Sequence, residues 1–127
     1  MSSLKTFVFS SVLIGLSATA GMAQTNFATT MAQCAGRYSA EVEHAWLMSD
    51  PESEVLSQQM ENFSSILEAV IPADAGREML VHRVDAKAAH AKLLSEATFG
   101  TDKARAAWAK KQAIHYRKAC ASYLLES

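Results

Sequence analysis

The sequence has little of what interrupts a helix. Its 127 residues include only two prolines and five glycines, the residues that most often end helices or form tight turns. No stretch alternates apolar and polar residues for long, and no Asn-Gly or Asp-Gly pair is present to close a β-hairpin. These absences argue against a sheet and favour a chain built from helices.

The sequence motifs of common enzyme classes are also missing. There is no G-x-S-x-G nucleophile motif, no glycine-rich phosphate loop, and no C-x-x-C. Serine, histidine and aspartate occur, but no spacing among them selects a catalytic trio. We therefore name no catalytic residue and expect a protein that is not an enzyme.

The chain lacks an excess of either charge. It carries 12 basic and 13 acidic side chains, for a formal net charge of −1. Proteins that bind nucleic acid or anionic membranes usually present a strongly basic surface. We therefore expect neither nucleic acid nor an anionic membrane as a partner.

The longest apolar run lies at the N-terminus and is too short to span a bilayer, which takes roughly 20 apolar residues. Lys5 supplies a positive charge, residues 7–16 are mostly apolar, and small residues follow up to Ala23. These are the marks of a secretory signal peptide. The sequence predicts a signal peptide over residues 1–23, with cleavage after Ala20 as the alternative, and no stable membrane insertion.

Cleavage after Ala23 would leave residues 24–127, the size of one small domain, in the periplasm or outside the cell. An exported chain with two cysteines most simply forms one disulfide, here Cys34–Cys120. Such a bond would contribute on the order of 4 kcal/mol in the chain-entropy model. The rival interpretation, two free thiols serving as metal ligands or a redox pair, is disfavoured by the absence of C-x-x-C.

Apolar residues recur three and four positions apart in four segments, the period of an amphipathic helix. Helices are predicted over residues 26–48, between Pro51 and Pro72, over about 75–99, and from Thr101-Asp102 to about Leu125. Their predicted inward stripes are Phe27, Met31, Cys34, Tyr38, Val42 and Ala45; Leu56, Met60, Phe63, Leu67 and Val70; Leu80, Val84, Ala88, Ala91 and Leu94; and Ala106, Ala109, Ala113, Tyr116, Cys120 and Leu124.

Four helices with short connections predict an all-α fold, an antiparallel (up-down-up-down) four-helix bundle with the disulfide joining helices 1 and 4. In that arrangement helices 1 and 3 are diagonal. Residues 24–72 carry a net charge of −6 and residues 73–127 a net charge of +4. We expect attraction between these halves within the bundle; the alternative is a two-signed surface for a partner or for self-association.

Glu41 is the polar residue that most invites a functional interpretation. It lies about 20° from Cys34 on the helical wheel, so it should face the interior, where a carboxylate must be paired, hydrogen-bonded or protonated. Arg37, Tyr116 and Arg117 are the predicted partners. The cluster is either a structural polar core or a ligand site.

No metal site is predicted. In the predicted bundle His44 and His90 lie at similar heights along the bundle axis. With Glu41 they have the chemistry to hold Zn²⁺ or Cu²⁺. However, His44 points well away from the Cys34 stripe, and helices 1 and 3 are expected to be diagonal. Both histidines are therefore predicted to be half-exposed surface residues.

In size and layout the predicted domain resembles the periplasmic four-helix cytochromes of the b and c′ types. The resemblance covers the whole mature chain but no motif, since C-x-x-C-H is absent. The axial-ligand candidates, Met31 and His115, are eight positions out of the register set by the cysteines, about 12 Å along a helix. No haem and no other cofactor is predicted.

These features predict an exported helical protein that acts by binding either an envelope protein or a small ligand. The alternative is a periplasmic metal- or haem-binding protein for electron transfer or sensing. The sequence makes no prediction of oligomeric state.

Overall fold

The computed structural model describes residues 17–125, and all regular structure within them is helical. The helices are α1 (Ser17–Leu47), α2 (Ser53–Val70), α3 (Gly76–Phe99) and α4 (Lys103–Leu125). The prediction of an all-helical chain with four helices is confirmed. Of the predicted signal peptide, residues 1–16 lie outside the described residues, and residues 17–23 form the first turns of α1.

The connections follow from local hydrogen bonding. After α1, the amide of Asp50 bonds to the carbonyl of Ala45 and that of Ser49 to Trp46, with Ser49 in the left-handed region at φ 53°. This pair of bonds is a Schellman motif, which satisfies the last carbonyls of a helix. The carboxylate of Asp102 accepts a hydrogen bond from the amide of Arg105 and so caps the start of α4, as predicted.

Helix α1 is the element around which the others pack. It makes its most extensive contacts with α3, then with α2, and fewer with α4. Between residues 28 and 45 it is buried on most of its circumference. The expectation that helices 1 and 3 would be diagonal is therefore wrong.

The close approach of α1 and α3 depends on small side chains. Ala28, Ala32, Ala35 and Ala40 of α1 are all buried. At Gly36, a side chain would collide with the backbone carbonyl of Arg83 on α3. Because helix axes can approach closely only where side chains are small, Gly36 permits the close contact between α1 and α3.

The inward face of α3 is not the predicted one. Leu80 and Val84 are 59% and 54% exposed, whereas Met79, His90 and Leu94 are buried. Only Leu94 of the predicted stripe is buried; the other four members are exposed. The helix is turned so that its apolar residues partly face solvent and a histidine faces the core. The predicted stripes of α2 and α4, by contrast, are buried or half-buried throughout.

The predicted disulfide is confirmed. Cys34 and Cys120 are bonded, with Cα atoms 5.6 Å apart, and both residues are buried. The bond closes the α1–α4 contact beside a core that includes Tyr38 and Phe63, whose ring centroids are 5.0 Å apart. A disulfide fits an extracellular or periplasmic location.

Ion pairs join the acidic and basic halves of the chain. Lys87 of α3 pairs with Glu43 of α1. Arg117 of α4 lies 3.3 Å from Glu52 and 4.0 Å from Glu41. These contacts connect α3 and α4 to α1 and to the start of α2. In the described part of the chain, no helix has both the length and the apolar character needed to cross a membrane.

Candidate functional site

A buried hydrogen bond joins α1 to α3. Oε1 of Glu41 lies 2.8 Å from Nε2 of His90, and their side chains are 10% and 1% exposed. The structure thus places Glu41 in the interior, but its closest partner is a residue that the sequence assigned to the surface. His90 is buried because Gly36 and the alanines of α1 bring α3 close enough to cover it.

The pairing fixes how the imidazole of His90 presents its other nitrogen. An ionised carboxylate only accepts hydrogen bonds, so Nε2 of His90 carries the hydrogen that is donated to Glu41. Nδ1 of His90 is buried and has no hydrogen-bond partner among residues 17–125. Buried polar atoms are nearly always satisfied, so this nitrogen is an exception within the described residues.

Arg117 and Tyr38 form the electrostatic surroundings of Glu41. Burial lowers the pKa of the Arg117 guanidinium, but the carboxylates of Glu52 and Glu41 more than offset this, so its pKa is raised overall. Burial raises the pKa of the Tyr38 hydroxyl, which donates a hydrogen bond to the carbonyl of Arg117. The charge of Arg117 is therefore already matched by two carboxylates.

Arg37 lacks such a match. Its guanidinium carbon lies 4.2 Å from the ring centroid of Tyr116, and Nη1 contacts Sγ of Cys120 at 4.0 Å. Burial lowers the pKa of Arg37, and no carboxylate pairs with it in the described structure. A half-buried cation loses hydration energy, and without an anionic partner no ion pair compensates for that loss.

Arg37 and His90 open onto the same cleft, which we call the Arg37 cleft. It lies between α3 and α4, has a volume of about 240 Å³, and its wall also includes Leu93, Trp108, Gln112 and Tyr116. The wall thus combines apolar and aromatic surface with a few polar groups, the usual composition of a small-molecule site.

A second cavity of about 370 Å³ lies against Glu41, Leu94, Lys110 and Arg117. The Glu41–His90 pair therefore stands between the two cavities, with the imidazole on one and the carboxylate on the other. The second cavity differs from the Arg37 cleft in that Arg117 is already paired.

The structure does not bring together the remaining candidate ligands for a metal or a haem. His44 is half-buried beside Thr98, whose hydroxyl lies 3.0 Å from its Nε2. Met31 is buried in the core, whereas His115 is exposed. Within residues 17–125, no three His, Cys, Asp or Glu side chains cluster as a metal site would require.

Of the three partners that the sequence predicted for Glu41, Arg117 lies near it at 4.0 Å, whereas Arg37 and Tyr116 contact each other on the Arg37 cleft. The sequence did not predict His90, Trp108 or Gln112 as members of the site. The signal that could have found His90 is its position one turn before Leu94, the member of the predicted stripe that is buried. Hydrophobic periodicity does not detect this, because it leaves polar residues out of the stripe.

The fold and the site define a small disulfide-bonded helical protein with a ligand-sized cleft. Comparisons of this chain with protein-family models, with curated proteins and with solved structures give no significant match. Its function must therefore be argued from its own residues.

Proposed function

We propose that the protein is an exported binding protein, not an enzyme, that holds a small ligand in the Arg37 cleft. The observation that carries the proposal is the half-buried guanidinium of Arg37, which lines the cleft and has no carboxylate partner among the described residues. Polar atoms left without partners in a concave site with aromatic walls are supplied with partners by a ligand.

The rigidity of the cleft supports the same proposal. Arg37 and Tyr116 are held near the Cys34–Cys120 bond, and His90 is oriented by Glu41. A site whose polar groups are fixed before binding loses little conformational entropy when the ligand arrives. In the second cavity Lys110 is exposed and Arg117 is paired with Glu52, so we do not assign the ligand to it.

Export and chain direction belong to the proposal as well. The disulfide supports an oxidising compartment, and the signal peptide over residues 1–23 would direct the chain there. An up-down-up-down course is supported by paired positions. The contacts Thr29–Met79 and Glu41–His90 join positions 50 and 49 apart in the sequence, as expected for parallel helices α1 and α3. From Cys34–Cys120 to Tyr38–Arg117 the position advances along α1 and moves back along α4, as expected for antiparallel helices.

Native mass spectrometry of protein isolated from its own cell envelope tests the proposal. We expect a bound small molecule in the wild type, lost in Ala89→Phe, which fills the cleft wall. Ala88→Phe is the matched control, since Ala88 is exposed on the same helix and does not line the cleft; it should retain the molecule.

Two results would contradict the proposal. One is the absence of any bound molecule together with no thermal stabilisation by the low-molecular-weight fraction of the envelope. The other is a stoichiometric metal or a haem absorbance band, which would favour the electron-transfer or sensor alternative. Recovery of a protein partner that binds Ala89→Phe as well as the wild type would place the function elsewhere on the surface.

A further inference from the structure

We infer that helix α3 is the contact through which two copies of this chain pair, antiparallel about a two-fold axis. The contact lies on the exposed side of α3, which we call the Val84 face. Its residues are all exposed and follow one heptad pattern: Val81, Val84, Ala88, Ala91, Ser95 and Thr98. None of them lines the Arg37 cleft, so this inference does not depend on the proposed ligand.

The Val84 face is apolar although it is exposed. Leu80 at its edge, Val81 and Val84 are 59%, 52% and 54% exposed. From Val81 to Thr98 the spacing alternates between three and four residues, the repeat by which two helices pack along one another. An exposed apolar face of this kind marks an interaction site, and its period is that of a partner helix.

Two charged residues along one edge of the face select a second copy as the partner. Asp85 and Lys92 lie seven positions apart on that edge, and neither has an ion-pair partner among residues 17–125. When identical helices pair antiparallel, the same edge of each copy meets, so Asp85 lies toward Lys92 of the second copy and Lys92 toward its Asp85. In a parallel pair the opposite edges meet, and Lys92 would face Lys87 of the second copy. The face is therefore self-complementary only in the antiparallel sense.

The sizes of the side chains set the register of the pair. When Val84 lies opposite Ala88 of the second copy, Val81 lies opposite its Ala91. Each larger side chain then meets a smaller one, which allows the two helices to approach closely without a gap.

The same register brings the opposite charges within reach. Asp85 and Lys92 of the second copy differ by five positions in height, about 7.5 Å along the helix. The length of the lysine and the tilt of both side chains toward their own N-termini reduce this separation. On the other edge, Lys87 is already paired with Glu43 of its own chain, so it adds no unbalanced charge to the contact.

The extent of the face sets the strength of the pairing. From Val81 to Thr98 it runs about 26 Å along a helix that is about 10 Å wide with its side chains. The contact therefore covers roughly 260 Å² of each copy in projection, which belongs to the class of small, transient interfaces. We expect a reversible dimer with a dissociation constant on the order of tens of micromolar.

Sedimentation equilibrium of the purified protein tests the pairing. The wild type should pass from monomer to dimer as its concentration rises through the tens of micromolar. Val84→Lys places a charge in the middle of the face and should weaken association at least about tenfold. Val55→Lys is the matched control, since Val55 is a similarly exposed valine on α2, and it should leave association unchanged. Circular dichroism verifies that both variants are folded.

Charge reversal tests the antiparallel sense. Asp85→Lys and Lys92→Asp should each weaken association at least about threefold, because each turns two attractions into two repulsions. The double variant restores opposite charges and should associate about as tightly as the wild type. These effects should shrink at high salt. A parallel pair predicts the reverse for Lys92→Asp, which would then associate more tightly because the new carboxylate would face Lys87.

Three results would overturn the inference. They are a wild type that stays monomeric at hundreds of micromolar, equal weakening by Val84→Lys and Val55→Lys, and tighter association of Lys92→Asp. All three are independent of whether the Arg37 cleft holds a ligand, which Ala89→Phe tests, so failure of one conclusion leaves the other standing.

Discussion

Glu41 on α1 and His90 on α3 form a hydrogen bond 2.8 Å long. His90 lines the Arg37 cleft and Glu41 lines the second cavity, so the pair lies between them. The pair joins two helices, and Nδ1 of the imidazole is buried without a hydrogen-bond partner in the described structure. Substitutions at the two positions measure this structural role.

Glu41→Leu should lower the free energy of unfolding by about 1–3 kcal/mol, because it leaves the buried N–H of His90 without a partner. Adding His90→Phe removes that unpaired group, so the double variant should lose less than the sum of the single losses. Glu43 lies two positions after Glu41 and is exposed. Glu43→Gln should therefore change stability by less than about 0.5 kcal/mol. Urea denaturation of the wild type, both single variants, the double variant and Glu43→Gln measures these differences; additive losses would show that the pair is not coupled.

Gly36→Ala should destabilise the protein by about 1–3 kcal/mol, as overpacking of an interior does. The added methyl group would meet the carbonyl of Arg83 and force α1 and α3 apart. Gly76→Ala is the matched control, since a Cβ at Gly76 has open space around it and alanine is the better helix former. In thermal denaturation, Gly36→Ala should melt at a lower temperature than the wild type and Gly76→Ala at a higher temperature. Equal stability of Gly36→Ala and the wild type would contradict the close approach.

Met79→Ala should cost about 2–5 kcal/mol and Leu80→Ala less than about 0.5 kcal/mol. These neighbours project about 100° apart on α3, and Met79 lies in the core whereas Leu80 is exposed. Both substitutions remove a similar amount of apolar side chain, so each controls for the chemistry of the other. Chemical denaturation measures the difference, and a larger loss at Leu80 would mean that α3 is rotated as its apolar pattern suggests.

This contrast also indicates how far the sequence predicted the structure. The four helices and the inward faces of α2 and α4 follow from the periodicity of apolar residues. The disulfide follows from the presence of two cysteines in a chain predicted to be exported. The face of α3 does not, because its apolar residues, Leu80 and Val84 among them, partly face solvent while His90 faces the core. Which face a weakly amphipathic helix buries is decided by what its neighbours offer, and here α1 offers alanines, Gly36 and a carboxylate.

The candidate site was predictable to a similar extent. Helical spacing placed Arg37 one turn from Glu41 on α1, and the cysteine register brought Tyr116 and Arg117 to the same level. His90 could not be added, because its distance from Glu41 depends on α1 and α3 being neighbours. That adjacency depends on side-chain size at one crossing point, which hydrophobic patterning does not register.

Cys34→Ser and Cys120→Ser should each lower the free energy of unfolding by a similar amount, on the order of 4 kcal/mol in the chain-entropy model. Each substitution breaks the same bond, so the double variant should be little less stable than either single variant. Denaturation with and without reductant provides the control, since reductant should weaken only the wild type. A double variant whose loss equals the sum of the two would argue against a shared bond.

Stability should decrease as the pH rises through the region where tyrosine titrates, near 10. Burial raises the pKa of Tyr38 in the folded state, so the folded protein retains a proton that the unfolded chain releases first. The contribution is complete below the pKa of the unfolded state and is lost as the pH approaches the folded-state value. In Tyr38→Phe this part of the decline should be absent. Urea denaturation between pH 8 and 11 measures it, and identical slopes would contradict the assignment.

The Cys34–Cys120 bond has a mechanical consequence as well. It joins positions 86 apart in the sequence, so residues 34–120 form a closed covalent ring that contains α2, α3 and their connections. A pulling force applied at the two chain ends passes directly from one cysteine to the other and leaves the ring unloaded. Under tension, only the segments outside residues 34–120 can lengthen, and the helices that build the Arg37 cleft are shielded until the bond is reduced.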